Sequence, residues 1–253
     1  MGTTDTDRPL ADRVALVTGV SRARGIGLAV TRRLHALGAT VVATGWSAHD
    51  EAAPWGSDPP SDPPVPLHQH DLGRPDAPRA LVDEVVDHHG GLDIVVACHA
   101  RSSAQSLAAV TADELDRSWA VNVRSVVVLA RRFTERHDPT RPGGRMVWFT
   151  SGQHLGPMPD ALPYALTKAA LHEITPTLAA ALAPAGIAAV CVNPGPVDTG
   201  WATAAEHGAV ATGFPSSRWT EPDEIAALVA FLVSDEGAVL AGRAIDAEHG
   251  FQR

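Results

Sequence analysis

Lysine is almost missing from this chain: of its 20 basic side chains nineteen are Arg, and Lys168 is the sole Lys. Tyrosine is as scarce, Tyr164 being the single one. The two lie four residues apart, which puts them on one face of any helix that holds both. A block of basic residues is also missing, and 29 acidic against 20 basic side chains give a formal charge of −9. That balance excludes the electrostatic footprint of a nucleic-acid binder and a polybasic membrane patch. No apolar run reaches the ~18–20 residues that cross a bilayer, and the polar first ten residues lack the basic-then-apolar order of a secretory signal. Cysteine is limited to Cys98 and Cys191, both inside apolar runs, which argues against a disulfide framework and for a reducing cytoplasm. A soluble cytoplasmic protein without nucleic-acid or membrane partners is the expectation.

What is present is alternation. Residues 1–10 read as a loose tail and 11–253 as a single domain. Within it, short apolar β-type runs at 14–18, 40–44, 65–69, 93–97, 145–150, 187–192 and 243–246 alternate with segments of helical period at 27–37, 75–88, 112–136, 162–183 and 222–234. Nearly continuous apolar runs suit parallel strands covered on both faces. Strict β/α alternation predicts an α/β chain built on a single doubly wound parallel sheet, with ligands outside the carboxyl ends of the strands. Thr111 with Glu114 forms a capping-box pattern, and Thr220 stands as a cap ahead of Pro222. Residues 46–66 hold six prolines and predict an irregular excursion without helix. The small-residue stretch 199–217 reads either as a substrate flap or as a plain surface loop.

The first strand runs into Thr18-Gly19-Val20-Ser21-Arg22-Ala23-Arg24-Gly25-Ile26-Gly27 and then a helix. Glycines at such a turn let backbone approach a pyrophosphate, which the helix N-terminus then favours; a simple turn also uses glycine. The end of the second strand, Thr44-Gly45-Trp46-Ser47, lacks the carboxylate that takes the ribose 2′-hydroxyl of NAD. Its absence, with Arg22 and Arg24 nearby, predicts NADP(H) over NAD(H), unless both arginines are solvated loop residues. Tyr164 and Lys168 follow Pro163. A phenol titrates near ~10, and an ammonium one turn away favours phenolate, which poises the pair for proton transfer in carbonyl/alcohol chemistry. An ordinary helix-surface Tyr and Lys is the plain alternative.

Further motifs stand in order: Asp71-Leu72 after the third strand, Asn122 within 112–136, Ser151 thirteen residues before Tyr164, and Asn193-Pro194-Gly195-Pro196-Val197-Asp198-Thr199. With the glycine turn and Tyr164-x-x-x-Lys168, they resemble the short-chain dehydrogenase/reductase family, in the compact form that includes 3-oxoacyl carrier-protein reductases, from about Asp12 to the C-terminus. The resemblance implies a Rossmann-type fold and an NADP(H)-dependent oxidoreductase acting on a small carbonyl or alcohol substrate. Tyr164 would be the general acid, Ser151 the donor to the carbonyl oxygen, and Lys168 the residue that holds the nicotinamide ribose and lowers the Tyr164 pKa. Asn122 would fix a relay water. Gly19, Ser21, Gly25, Ile26, Gly27, Gly45, Trp46, Asp71, Leu72 and Cys98 would contact the cofactor, and Pro194, Gly195, Val197 and Thr199 would place its nicotinamide. A homotetramer or homodimer through 112–136 and 162–183 is implied as well. A nucleotide-binding regulatory protein on the same fold is the rival.

Three departures from the family pattern are visible. Five residues separate Gly19 from Gly25 where the family usually has three, as in enoyl carrier-protein reductases, although those place six residues between Tyr and Lys and this chain places three. The usual Asn-Asn-Ala-Gly appears as Ala97-Cys98-His99-Ala100. Pro176 inside 162–183 is expected to bend the helix beyond Lys168 and to cost ~3 kcal/mol if nothing compensates. His99 and His154 are expected near the substrate mouth. His68-x-His70 and His88-His89 lack further ligands, so no metal site is expected.

Overall fold

Continuous burial along the strands is what the parallel sheet shows first. In a computed structural model describing residues 8–60, 62–202 and 204–252, the strands are β1 (Val14–Thr18), β2 (Thr40–Gly45), β3 (Leu67–Gln69), β4 (Ile94–Ala97), β5 (Gly144–Phe149), β6 (Ile187–Asn193) and β7 (Ala244–Asp246). They form one seven-stranded sheet in the order β3-β2-β1-β4-β5-β6-β7, with every neighbouring pair parallel. All residues of β1, β4 and β5 are buried, because helices cover both faces. The helices are α1 (Ile26–Ala36), α2 (Ser47–Ala52), α3 (Ala77–His89), α4 (Ala112–Trp119), α5 (Ser125–Arg136), α6 (Leu162–Glu173), α7 (Thr175–Leu182), α8 (Ala204–Ala211) and α9 (Pro222–Leu232). Leu28, Val30 and Leu34 of α1 join Ile225 and Val229 of α9 over one face. Leu81, Leu129, Phe133 and Leu171 from α3, α5 and α6 cover the other. The chain reverses its direction of winding between β1 and β4, which opens a crevice at their carboxyl ends. Among the described residues no helix is long and apolar enough to cross a membrane.

Several local expectations are corrected. Residues 46–66 begin with a helix, α2, because the first proline there is Pro54. The stretch 199–217 contains α8. The expected tail is described only from residue 8, and Leu10 is a core residue whose N–H bonds the Leu37 carbonyl at 3.0 Å. Thr111 accepts from the Glu114 N–H at 3.2 Å, but the Glu114 carboxylate serves Arg101 and Ser118 instead of closing a box. The cap of α9 is Glu221, boxed with Glu224, and Thr220 is buried beside Val197. Pro176 divides 162–183 into α6 and α7. It sits in the first turn of α7, where a missing N–H removes no helical bond, so the expected penalty is not incurred.

At the opposite end of the sheet Asp93 is fully buried and accepts from the Val14 N–H at 2.7 Å and from Arg141 at 2.8 and 2.6 Å. These bonds lock the start of β1 to β4. Asp93→Ala leaves the Val14 N–H without a partner and the Arg141 guanidinium with only the Asp12 carbonyl in place of a buried carboxylate, and is expected to lower the free energy of unfolding by about 3 kcal/mol in urea at pH 7. A loss below about 1 kcal/mol would show that Arg141 finds water at no penalty.

Candidate active site

The crevice is a cleft of about 1090 Å³ reaching from the end of β2 to the end of β6. Gly19, Ser21, Arg22, Gly25, Ile26 and Gly27 line it from the turn after β1, and Gly45 and Trp46 from the end of β2. Asp71 and Leu72 enter after β3, Cys98 after β4, Tyr164 and Lys168 from α6, and Pro194, Gly195, Val197 and Thr199 after β6. Ser151 and Asn122 are not part of this lining; Ser151 hydrogen-bonds Tyr164, and Asn122 is buried. Arg24 does not share the cleft: it pairs with Asp198 over a smaller hollow.

Backbone closeness explains the glycines. A Cβ on Gly19, whose φ is +75°, would lie 2.5 Å from the His99 nitrogen, and one on Gly27 would strike the Gly19 carbonyl. One on Gly45 would lie 2.8 Å from the Ser21 nitrogen. Helix α1 starts in this cradle, and among the described residues it has neither a side-chain cap nor an acidic residue in its first turn. Its free N–H groups therefore face a position suited to an anion. Dimensions, glycine cradle and uncapped helix end fit a dinucleotide.

The altered segment after β4 is compensated. Thr18 Oγ1 lies 2.6 Å from His99 Nδ1, and His99 Nε2 lies 2.7 Å from Ser125 Oγ. Ser125 donates to the Val121 carbonyl, so the ring must carry its proton on Nε2 and accept from Thr18 at Nδ1. Burial, with Lys168 nearby, pushes the His99 pKa down to about 3, consistent with that neutral ring. His99 thus ties the end of β1 to the start of α5, and both ring nitrogens are taken. His154 does not line the cleft; it pairs with Asp246 at 3.0 Å and stacks on His172.

Lys168 is 3% exposed. Its Nζ donates to the Phe149 carbonyl at 2.9 Å and lies 5.4 Å from the Tyr164 ring centre. Burial pulls its pKa from 10.5 to about 8. The Tyr164 phenol moves above its ordinary value, because burial outweighs a hydrogen bond with Ser151. The lowering by Lys168 expected from sequence is not the balance here, and the ammonium is bonded to the Phe149 carbonyl. Asn122 sits in a π-helical turn, Ala120–Arg124, between α4 and α5, a distortion found often at functional sites. Its Oδ1 accepts from the Arg101 N–H at 2.7 Å, and Nδ2 donates to the Arg101 carbonyl and Thr167 Oγ1, each at 2.9 Å. The amide is therefore occupied in holding the segment after β4.

A family model described as enoyl-(acyl carrier protein) reductase matches residues 19–252. An uncharacterised oxidoreductase of Bacillus subtilis is 34% identical over 248 residues, 96% of this chain and 98% of that protein. The chain belongs to the short-chain dehydrogenase/reductase family. Another relative, 4-formylbenzenesulfonate dehydrogenase of Comamonas testosteroni, is 32% identical over 95% of this chain and 98% of its own. The crystal structure of a short-chain dehydrogenase of Burkholderia cenocepacia in complex with NADP superposes with a TM-score of 0.80, at 34% identity, covering 96% of this chain and 98% of that one. This short-chain dehydrogenase/reductase is thus an oxidoreductase of a family that uses NAD(P) and acts on CH–OH and C=O groups.

Sequence reasoning missed Asp50, Trp55 and Trp201 of the cleft wall. Asp50 is 3% exposed; its Oδ1 lies 3.9 Å from Arg22 and accepts from Trp55 Nε1 at 3.3 Å, while Oδ2 has no partner among the described residues. Burial raises its pKa, but bonds from His49, Ser21 and Trp55 bring it below the ordinary value. Asp50 and Trp55 lie in the proline-rich stretch 46–66 and Trp201 in the small-residue stretch 199–217, both of which read as irregular connections.

Proposed function

We propose that this protein interconverts a ketone and an alcohol with NADP(H), Tyr164 being the proton donor during reduction. One observation carries the reading: a buried ammonium and a phenol, Lys168 and Tyr164, line the cleft together, and the phenol is hydrogen-bonded to the Ser151 hydroxyl. The nicotinamide dinucleotide supplies the hydride when bound. Tyr164 stays protonated at neutral pH and donates to the carbonyl oxygen, to which the Ser151 hydroxyl also hydrogen-bonds. Lys168 holds a ribose hydroxyl and, as the nearby cation, supports the phenolate that proton donation leaves. With its amide taken by Arg101 and Thr167, Asn122 would hold a relay water through its main chain. A nucleotide sensor would give Tyr164 and Ser151 no task.

The preference for NADP(H) rests on Arg22, which lines the cleft, and on the lack of a carboxylate in Thr44-Gly45-Trp46-Ser47. Asp50, 3.9 Å from Arg22, offsets part of that charge. We therefore expect kcat/KM to favour NADPH over NADH by about tenfold, one charge-assisted hydrogen bond's worth, with Asp50→Asn widening the ratio. Steady-state rates with both cofactors test this, and an NADH preference in the wild type removes the assignment. Exposed Trp119, Val127 and Leu166 on α4 to α6, with Ile174 just after α6, support a homodimer or homotetramer, measurable by light scattering. Two free cysteines, both at apolar strands, support a cytoplasmic setting.

A further inference from the structure

Two segments that start far apart on the sheet meet above the cleft. Residues 46–66 leave the end of β2, and the stretch from Thr199 leaves the end of β6; the strands between them are β1, β4 and β5. Four strand spacings amount to ~19 Å. Trp55 of the first segment nevertheless stacks on Trp201 of the second, with ring centres 4.7 Å apart and planes 14° from parallel. Asp50 holds the Trp55 indole by its N–H. Arg22, rising from the lengthened glycine turn, ties both segments. Its Nη1 donates to the Gly56 carbonyl at 2.8 Å, and its Nε and Nη2 reach the Thr199 and Gly200 carbonyls at 3.4 and 3.5 Å. The Ala23 N–H adds a bond to the Asp58 carbonyl at 2.7 Å.

The Trp201 indole nitrogen is buried and has no hydrogen-bond partner among the described residues. A buried donor without an acceptor is unfavourable by a large part of its desolvation penalty, so a ligand atom is the natural partner. Arg22, bonded to the Thr199 and Gly200 carbonyls just before Trp201, and the uncapped start of α1 line the same cleft and supply donors in excess of the single carboxylate, Asp50, that holds Trp55. Such a set calls for an anionic acceptor. Trp55 comes from the β2 side of the cleft and Trp201 from the β6 side, past the strand β5 that leads to Ser151 and Tyr164, so the stack bridges the cleft between the two ends of a dinucleotide.

We infer that Trp55 and Trp201 form a clasp closed across the dinucleotide, in which the Trp201 N–H hydrogen-bonds a diphosphate oxygen. This rests on the dinucleotide reading above. The clasp makes the proline-rich segment and the start of the flap one binding element, and it must part each time the dinucleotide enters or leaves. Its natural probe is ADP-ribose, which carries the diphosphate and both riboses but no nicotinamide, measured by calorimetry with AMP as the control lacking a diphosphate. Trp201→Phe keeps a stackable ring and deletes the N–H. It is expected to weaken ADP-ribose binding at least fivefold and to leave AMP binding within twofold. Trp55→Leu removes the stacking partner and is expected to speed ADP-ribose release at least tenfold in stopped-flow measurements. Thermal unfolding midpoints within a few degrees of wild type establish that both variants fold. Equal weakening of AMP, or ADP-ribose binding by Trp201→Phe within twofold of wild type, overturns the clasp while leaving the dinucleotide reading standing. A wild type that binds neither NADPH, NADH nor ADP-ribose overturns both.

Discussion

Tyr164→Phe is expected to lower kcat for ketone reduction by about 10³-fold or more while NADPH binding stays within about twofold of wild type. The phenol lines the cleft, hydrogen-bonded to Ser151, and its upward shift keeps it protonated throughout the neutral range, as the proposed acid must be. Phe preserves the ring, its packing and its place beside Lys168. The loss should therefore fall on the chemical step and not on affinity, since an interaction made in the transition state is what disappears. NADPH oxidation across a panel of ketones, with separate calorimetry for NADPH, measures the two quantities. Activity within tenfold of wild type would take the proton donor's role away from Tyr164.

Lys168→Met should move activity and stability in opposite directions. Folded Lys168 titrates near 8 and an unfolded lysine near 10.5, so the sign follows from which state loses its proton first. Below pH 8 both states are protonated, and the folded chain bears the full penalty of a buried ammonium, about 3 kcal/mol. As pH rises from 8 towards 10.5 the folded state sheds its proton and the penalty fades. Removing the charge thus stabilises at pH 7 by about 2 kcal/mol, after allowing for the lost bond to the Phe149 carbonyl. The gain shrinks towards zero near pH 10. Cys98 and Cys191, pushed up to about 12 and about 11 by burial, act in the reverse sense on the same limb. Both thiols also feel the Lys168 charge, so the comparison at pH 7, where neither has begun to ionise, is the one that isolates Lys168. Urea unfolding of both proteins at pH 7 and pH 10 makes the comparison. Turnover should fall at least about 10²-fold, and wild-type kcat/KM for reduction should decline above pH 8 as the ammonium is lost. A variant less stable than wild type at pH 7 would mean that Lys168 is a net structural asset. Lys168→Arg should be no milder in activity, because a broad guanidinium does not fit a site that is 3% exposed and shaped to one donor on the Phe149 carbonyl.

Buried runs such as Val14–Thr18 need neighbours on both faces wherever they lie, so strands, alternation and crevice were legible. Tyr164 and Lys168 share a helix, and their four-residue spacing is a property of that helix alone. His99 was different: its meaning depends on Thr18, 81 residues away, and Ser125, 26 residues away. The two arginines of the glycine turn looked alike in sequence, yet one faces Asp198 and the other faces Gly56, Thr199 and Gly200.

From its sequence alone this chain determined the doubly wound sheet, the glycine cradle and the Tyr164–Lys168 pair that began as two scarcities of composition. Each of those depends on hydrophobic period, backbone freedom or helical spacing, which act over a few residues. Tertiary structure alone decided that Lys168 is held by Phe149 and titrates near 8, that His99 is spent on Thr18 and Ser125, and that Trp55 meets Trp201. Desolvation and contacts between strand ends depend on what the whole sheet brings together, and no local pattern encodes them.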